Sequence, residues 1–123
     1  MRRLTILLCF IFSLCTTTLR AEEFVAKYAT YEKDGQRIEL SDTKLFPSFN
    51  AEYKQRENIV ILRSSAGNLI LTKATYGYSY SGIHKGIAIT ATAYLTNGKI
   101  TKIVYEEYDK VNKMKAKVDY YKR

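Results

Sequence analysis

The run IAITATAYLTNGKITKIVYEEYDKVNKMKAKVDYYKR, residues 87–123, decides how the whole chain is read. In its first third Ile87, Ile89, Ala91, Ala93 and Leu95 alternate with Ala88, Thr90, Thr92 and Tyr94. A pleated strand points successive side chains to opposite faces, so this period of two gives an aliphatic face and a threonine face, the pattern of a half-buried antiparallel strand. Thr96-Asn97-Gly98-Lys99 follows, and Asn-Gly tolerates the positive φ that a two-residue type I′ turn needs at both central positions. The next strand, 100–108, therefore runs back beside the first. There Ile103, Val104 and Tyr105 are consecutive, which burial of one face cannot satisfy; a bulge, or burial on both faces, resolves it. A second turn at Val111-Asn112-Lys113 leads to Met114, Ala116, Val118 and Tyr120 alternating with Lys115, Lys117, Asp119 and Tyr121, a final strand with one wet face.

The rest of the chain extends this pattern. Residues 22–31 place Phe24, Ala26 and Tyr28 on one parity and Val25, Lys27, Ala29 and Tyr31 on the other, then reach Asp34-Gly35, so a strand enters a hairpin whose return is 37–40. Residues 41–50 hold the only proline, Pro47, among Leu45, Phe46 and Phe49, an apolar loop suited to plugging the core under a sheet or at a barrel end. Between Asn50 and Asn58 lie good helix formers with a cap candidate at each end, which predicts a short helix near 50–57; a strand over 52–55 is the competing reading. Residues 58–64 and 69–80 bracket the turn signal Ser65-Ala66-Gly67-Asn68, and Ile59-Val60-Ile61-Leu62 is apolar enough for burial on both faces. Tyr76, Tyr78 and Tyr80 fall two apart, a tyrosine stripe on one strand face beside a loop at 81–86. The expected fold class is all-β, an antiparallel up-and-down meander of about 6–8 strands forming a curved sheet or small barrel, one domain over 22–123.

Residues 1–21 have the layout of a cleaved secretory signal: Arg2 and Arg3, an apolar run of about 12 residues from Leu4 to Cys15, then a polar segment ending at Ala21. The run is shorter than the ~20 residues a spanning helix needs, which argues against a permanent membrane anchor. Cys9 and Cys15 both lie in this segment, so the expected mature chain carries no thiol and its core is held by packing. An exported domain without disulfides, and without an Asn-x-Ser/Thr acceptor, fits a bacterial periplasmic or secreted protein better than an animal one. Removing Arg2, Arg3 and Arg20 leaves 17 basic against 12 acidic residues, a net +5. Six of the basic residues lie between Lys110 and Arg123. Export argues against nucleic acid as their partner; a solvated strand face accounts for them, with an anionic surface as the functional alternative.

Catalytic chemistry has little to work with. His84 is the only imidazole, with no cysteine to activate. Glu22-Glu23 and Glu106-Glu107 are adjacent acids that a strand sends to opposite faces. Gly77-Tyr78-Ser79-Tyr80-Ser81 lacks the closing glycine of a nucleophile elbow, and no zinc, calcium or phosphate-loop spacing occurs. The chain therefore reads as a binding module for a small apolar or amphipathic ligand, without catalysis and without a cofactor. Its candidate site is Tyr76, Tyr78 and Tyr80 as an aromatic wall, with Ala91 and Ala93 leaving space beside it. A connected cavity of roughly 300 Å³ or more enclosed by the sheet would support a ligand there, whereas a filled interior would rule it out. The alternative is a ligand-free structural or surface-interaction protein in which the same tyrosines only pack.

Two resemblances bear on this reading. The hairpin-after-hairpin order, the Gly77–Ile89 spacing and the ending Val118-Asp119-Tyr120-Tyr121-Lys122-Arg123 resemble small bacterial lipocalin-like (calycin) barrels, which implies an up-and-down meander around a ligand. The family's early Gly-x-Trp has no counterpart, since the chain has no tryptophan. More locally, Asn97-Gly98-Lys99-Ile100-Thr101-Lys102-Ile103 with Tyr105-Glu106-Glu107-Tyr108 is similar to a hairpin of exported FMN-binding domains. That implies non-covalent FMN as a further alternative; the Ser-Gly-Ala-Thr run for covalent flavin is absent.

Overall fold

The computed structural model describes residues 21–123, so the expected signal segment up to Arg20, with both cysteines, lies outside the described residues, while its last residue, Ala21, opens the first strand. Nine strands follow one another among the described residues: β1 (Ala21–Lys33), β2 (Gln36–Leu40), β3 (Phe49–Lys54), β4 (Ile59–Ser64), β5 (Gly67–Ala74), β6 (Gly77–His84), β7 (Ile87–Thr96), β8 (Lys99–Asp109) and β9 (Met114–Lys122). All pairings are antiparallel. From β3 onward each strand pairs with the next, and β1 closes the ring by pairing with both β3 and β9, an eight-stranded barrel. β2 is the ninth strand and lies outside the ring. It folds back on the second half of β1, Ala29–Lys33, along the edge whose first four residues pair with β3.

Local chemistry sets the hairpins. Asp34-Gly35, Lys85-Gly86 and Asn97-Gly98 each carry two successive positive φ angles, between 51° and 80°, the geometry of type I′ turns. The turns joining β3 to β4, β5 to β6 and β7 to β8 gather at one end, the lower end; those joining β1 to β2, β4 to β5, β6 to β7 and β8 to β9 gather at the upper end.

The inward faces follow the period of two, with two interruptions. Ile87, Ile89, Ala91, Ala93 and Leu95 on β7 and Met114, Ala116, Val118 and Tyr120 on β9 face inward as the alternation predicts. On β1 a bulge between Ala26 and Tyr28 switches parity. Phe24 is therefore buried from the first half and Ala29 from the second, and both apparent parities of the sequence belong to one interior. The Ile103-Val104-Tyr105 run is resolved in both anticipated ways. The register shifts between Tyr94 and Leu95, leaving Thr101 without a partner in the β7 ladder. Val104 is also buried on the outer face, between Thr92 and Asp119. In the lower half Phe24, Val60, Leu62, Leu71, Ile103 and Tyr120 are completely or almost completely removed from solvent. Each such side chain contributes about 1.5–3 kcal/mol through the hydrophobic effect.

The loop between β2 and β3 serves the core, as its apolar residues suggested. Phe46 packs on it, Phe49 is buried, and the Tyr120 hydroxyl crosses the interior to donate to the Pro47 carbonyl at 2.9 Å. A single 3₁₀ turn, Thr43–Leu45, is capped by Asp42, whose side chain accepts from the Lys44 amide. The short helix expected near 50–57 is a correction: those residues are β3 and a turn. Ala51 and Tyr53 alternate with Asn50, Glu52 and Lys54, and ladder bonds to β1 and β4 outweigh a helix propensity worth tenths of a kcal/mol per residue. Residues 69–80 are likewise two strands and not one. The chain turns at Thr75-Tyr76, where Gly77 has φ +157° and a Cβ would lie 2.2 Å from the Ala93 carbonyl oxygen, so only glycine lets β6 approach β7 there. Beyond it β6 continues through His84, and the expected loop at 81–86 shrinks to the turn Lys85-Gly86.

Strand length divides the molecule. β3 and β4 have 6 residues and β5 and β6 have 8, whereas β7, β8, β9 and β1 have 10, 11, 9 and 13. β3, paired with β1 only as far as Phe24, stops short of the upper rim, whereas β6 reaches it, its His84 pairing with Ile87. The ladder between β5 and β6 covers only Thr72–Ala74 against Gly77–Ser79. The upper half is therefore a curved sheet, β2-β1-β9-β8-β7-β6, whose concave side carries Ile38, Leu40, Tyr31, Met114, Ile87 and Ile89, none of them fully buried.

Candidate functional site

At the lower mouth, inward-facing residues of four strands meet two turns. Tyr53 ends the inward face of β3, Lys73 that of β5 and Leu95 that of β7, while Tyr78 opens that of β6. With Tyr76 in the β5–β6 turn and Gly98 in the β7–β8 turn they line a cleft of about 330 Å³. The Tyr53 and Tyr78 rings sit 5.4 Å apart at 59°, an inclined pair of the kind aromatic quadrupoles favour. The Tyr78 hydroxyl donates to Asn58 Oδ1, and the Tyr53 hydroxyl lies 3.2 Å from it. The hydrogen bond with Tyr53, then burial, then the charge Tyr53 would carry push the Tyr78 phenol up to about 12. Its role is that of a neutral hydrogen-bonding group. The Lys73 ammonium lies 5.1 Å from the centre of the Tyr78 ring, a contact worth about 0.5–1 kcal/mol at an exposed position. It is the cationic group of an otherwise phenolic and apolar lining. A second cleft of about 750 Å³ shares Tyr53 and Gly98 with the first and is lined by Glu52, Lys54, Arg56, Glu57 and Lys99. Glu52 there accepts from Arg63 Nη1 at 3.0 Å and is nearly buried.

The five residues singled out from sequence divide between two places. Tyr76 is 83% exposed on the β5–β6 turn, so the stripe it was expected to form with Tyr78 and Tyr80 is broken by that turn. Tyr76 and Tyr78 come together at the lower mouth. Tyr80, Ala91 and Ala93 do not join them. Ala93 lies between Tyr78 and Ile103, and Ala91 between Tyr80 and Tyr105. Both alanines have no surface accessible to water. The space that small side chains leave on β7 is taken by rings and an isoleucine from the strands on either side. Tyr53, Lys73 and Leu95 carry no motif. The signal that reaches them is register, since Leu69, Leu71 and Lys73 share one parity once β5 is ended before Gly77.

The upper concave sheet holds two half-buried acids of β8, Glu107 and Asp109, and Glu107 accepts from the Tyr105 hydroxyl at 2.6 Å. Burial first, and then Glu107, raise the Tyr105 phenol above the ordinary tyrosine range. Burial, then Glu107, push Tyr120 up to about 12. The basic final strand is partly neutralised within the fold. Lys115 pairs with Glu106 at 3.4 Å, Lys122 with Glu22 at 3.2 Å, and Arg123 with Glu23. This leaves fewer free cations for an anionic surface than the sequence count suggests.

Compared with family models, with curated proteins and with solved structures, the chain matches none.

Proposed function

We propose that the chain is an exported, non-catalytic binding module whose lower mouth takes a small amphipathic ligand. The observation that carries this reading is the 330 Å³ cleft combining three phenols, Leu95 and Lys73. An aromatic or alicyclic body would lie against Tyr53, Tyr76 and Leu95, and an anionic or hydroxyl-bearing head would face Lys73 and the phenol oxygens. The exposure of Tyr76 supplies an adjustable wall, while Tyr78 is held by Asn58 and Tyr53. The resemblance to lipocalin-like barrels supports the general class, with the ligand placed at the mouth and not beside Ala91 and Ala93.

The test uses 8-anilinonaphthalene-1-sulfonate, an aromatic anion, as a fluorescent probe. Saturable binding of one probe per chain, weakened about tenfold or more by Lys73→Ala and by Tyr76→Ala, supports the proposal. Binding that is absent, or unchanged in both variants, removes it. Native mass spectrometry of protein purified from the periplasm tests export and ligand together: a mature mass beginning near residue 22 and a co-purifying small molecule are expected.

A further inference from the structure

The ladder between β5 and β6 stops at Thr72 and Ser79, and above that point both strands continue without each other. β5 goes on as residues 67–71, held on its other side by β4, and β6 as residues 80–84, held on its other side by β7. The result is a slot in the barrel wall with a closed apex and two ordered lips of five residues each. Alternate residues of each lip turn their N–H and C=O groups into the slot, where no strand among the described residues pairs with them. Such an edge is a template for another strand, and proteins ordinarily guard it with charge, proline or a bulge. The free edge of β2 is guarded in this way, by Arg37 and Glu39 within Gln36–Leu40. The slot is not. Its lips read Gly-Asn-Leu-Ile-Leu and Tyr-Ser-Gly-Ile-His, with no Asp, Glu, Lys, Arg or Pro.

Beside the exposed polar residues Asn68, Ser81 and His84, apolar side chains stand on both faces of the slot. Ile70 is 56% exposed and Ile83 80% exposed on the outer face, one on each lip, while Leu69 and Tyr80 are half-buried on the inner face. We infer that the β5–β6 slot receives an uncharged, extended peptide segment of a partner protein, about five residues long, as an added strand with aliphatic side chains on both faces. The occupant is a segment free along both edges, because both lips need a partner. A second folded copy would offer β2, whose inner edge is already taken by β1, and could satisfy one lip only. Since β5 and β6 are antiparallel, the guest runs antiparallel to one lip and parallel to the other.

The probe is the uncharged pentapeptide acetyl-Thr-Val-Val-Val-Thr-amide, whose valines fall on both faces of a strand, added to isotope-labelled protein and followed by amide hydrogen exchange and methyl shifts. The expected result is exchange about tenfold or more slower at the slot-facing amides of residues 67–71 and 80–84, with shifts of the Ile70 and Ile83 methyls. The same peptide N-methylated at alternate residues keeps its side chains but loses one bonding edge, and is expected to bind at least about tenfold more weakly. Ile83→Asp, at an exposed position that leaves the fold intact, is expected to weaken the peptide comparably. Several outcomes overturn the inference. One is slot-facing lip amides that already exchange as slowly as those between β7 and β8 without peptide. Others are unchanged exchange at saturating peptide, or shifts confined to Tyr76 and Tyr78. Protection that grows with protein concentration alone assigns the slot to a second copy and overturns it as well.

Discussion

The two ends of this barrel are made from the same strands and differ in how completely those strands find neighbours. Below, eight strands close a ladder around Phe24, Leu62, Leu71, Ile103 and Tyr120, and the interior is dry. Above, the sheet is β2-β1-β9-β8-β7-β6, without β3 and β4. Its inward residues Ile38, Leu40, Ile87, Ile89 and Met114 stay partly in water, and β2 is exposed along its whole length. Inward-facing aliphatics occur at both ends, so hydrophobicity does not distinguish them. Neighbours do, because an apolar side chain contributes to stability only in proportion to the surface that packing removes from water.

Truncating a side chain at each end puts the largest expected effect on that difference. Leu62→Ala empties a completely buried position and should cost about 2–5 kcal/mol, whereas Ile38→Ala should cost under about 1 kcal/mol, since Ile38 is 55% exposed. Urea denaturation followed by circular dichroism measures both, and equal losses would break the comparison. The glycines repeat it on the backbone. Gly77→Ala drives a Cβ into the Ala93 carbonyl at a positive φ and should lose more than about 1 kcal/mol. Gly82→Ala meets the Tyr80 hydroxyl, the far end of a half-buried side chain that can swing aside. Its cost should stay within about 0.5 kcal/mol in the same measurement.

Tyr120→Phe keeps the ring and removes one hydrogen bond, leaving the Pro47 carbonyl without its donor; about 1 kcal/mol is expected. Thermal unfolding of that variant beside Tyr105→Phe would show whether the loop anchor or the Glu107 contact matters more. The last effect appears only at high pH. The fold favours the neutral phenols of Tyr78 and Tyr120, raised from 10.0 to about 12. Their contribution is therefore complete below pH 10 and is lost as pH rises through about 12. Tyrosinate absorbance should show a late-ionising class, from which Tyr78→Phe and Tyr120→Phe each remove one member.

Much of the fold was legible because antiparallel strands write their burial as a period of two and their turns as Asp-Gly or Asn-Gly. β7, β8 and β9 came directly from residues 87–123. The hairpin at Thr75-Tyr76 was not legible, since its only signal is a single glycine whose need arises from the Ala93 carbonyl on another strand. Missing it made one strand of two and set Tyr76 in a stripe with Tyr80. The site was legible only in part for the same reason. Tyr76 and Tyr78 were named from their spacing, but Tyr53, Lys73 and Leu95 reach the mouth through register across four strands, which no local pattern encodes.

By itself the sequence determined the all-β class, the inward faces of β7 and β9, the hairpin turns at Asp34-Gly35 and Asn97-Gly98, and the role of the Pro47 loop. Each depends on the intrinsic geometry of a few neighbouring residues. The tertiary structure alone decided that β1 closes the ring with β9, that a bulge reverses the parity of β1, and that Ala91 and Ala93 are filled in by rings from β6 and β8. It also decided that β5 and β6 part above Thr72 and Ser79 and leave a slot between them. Those outcomes depend on which strand lies beside which and how far each reaches, and that is set only when the ring closes.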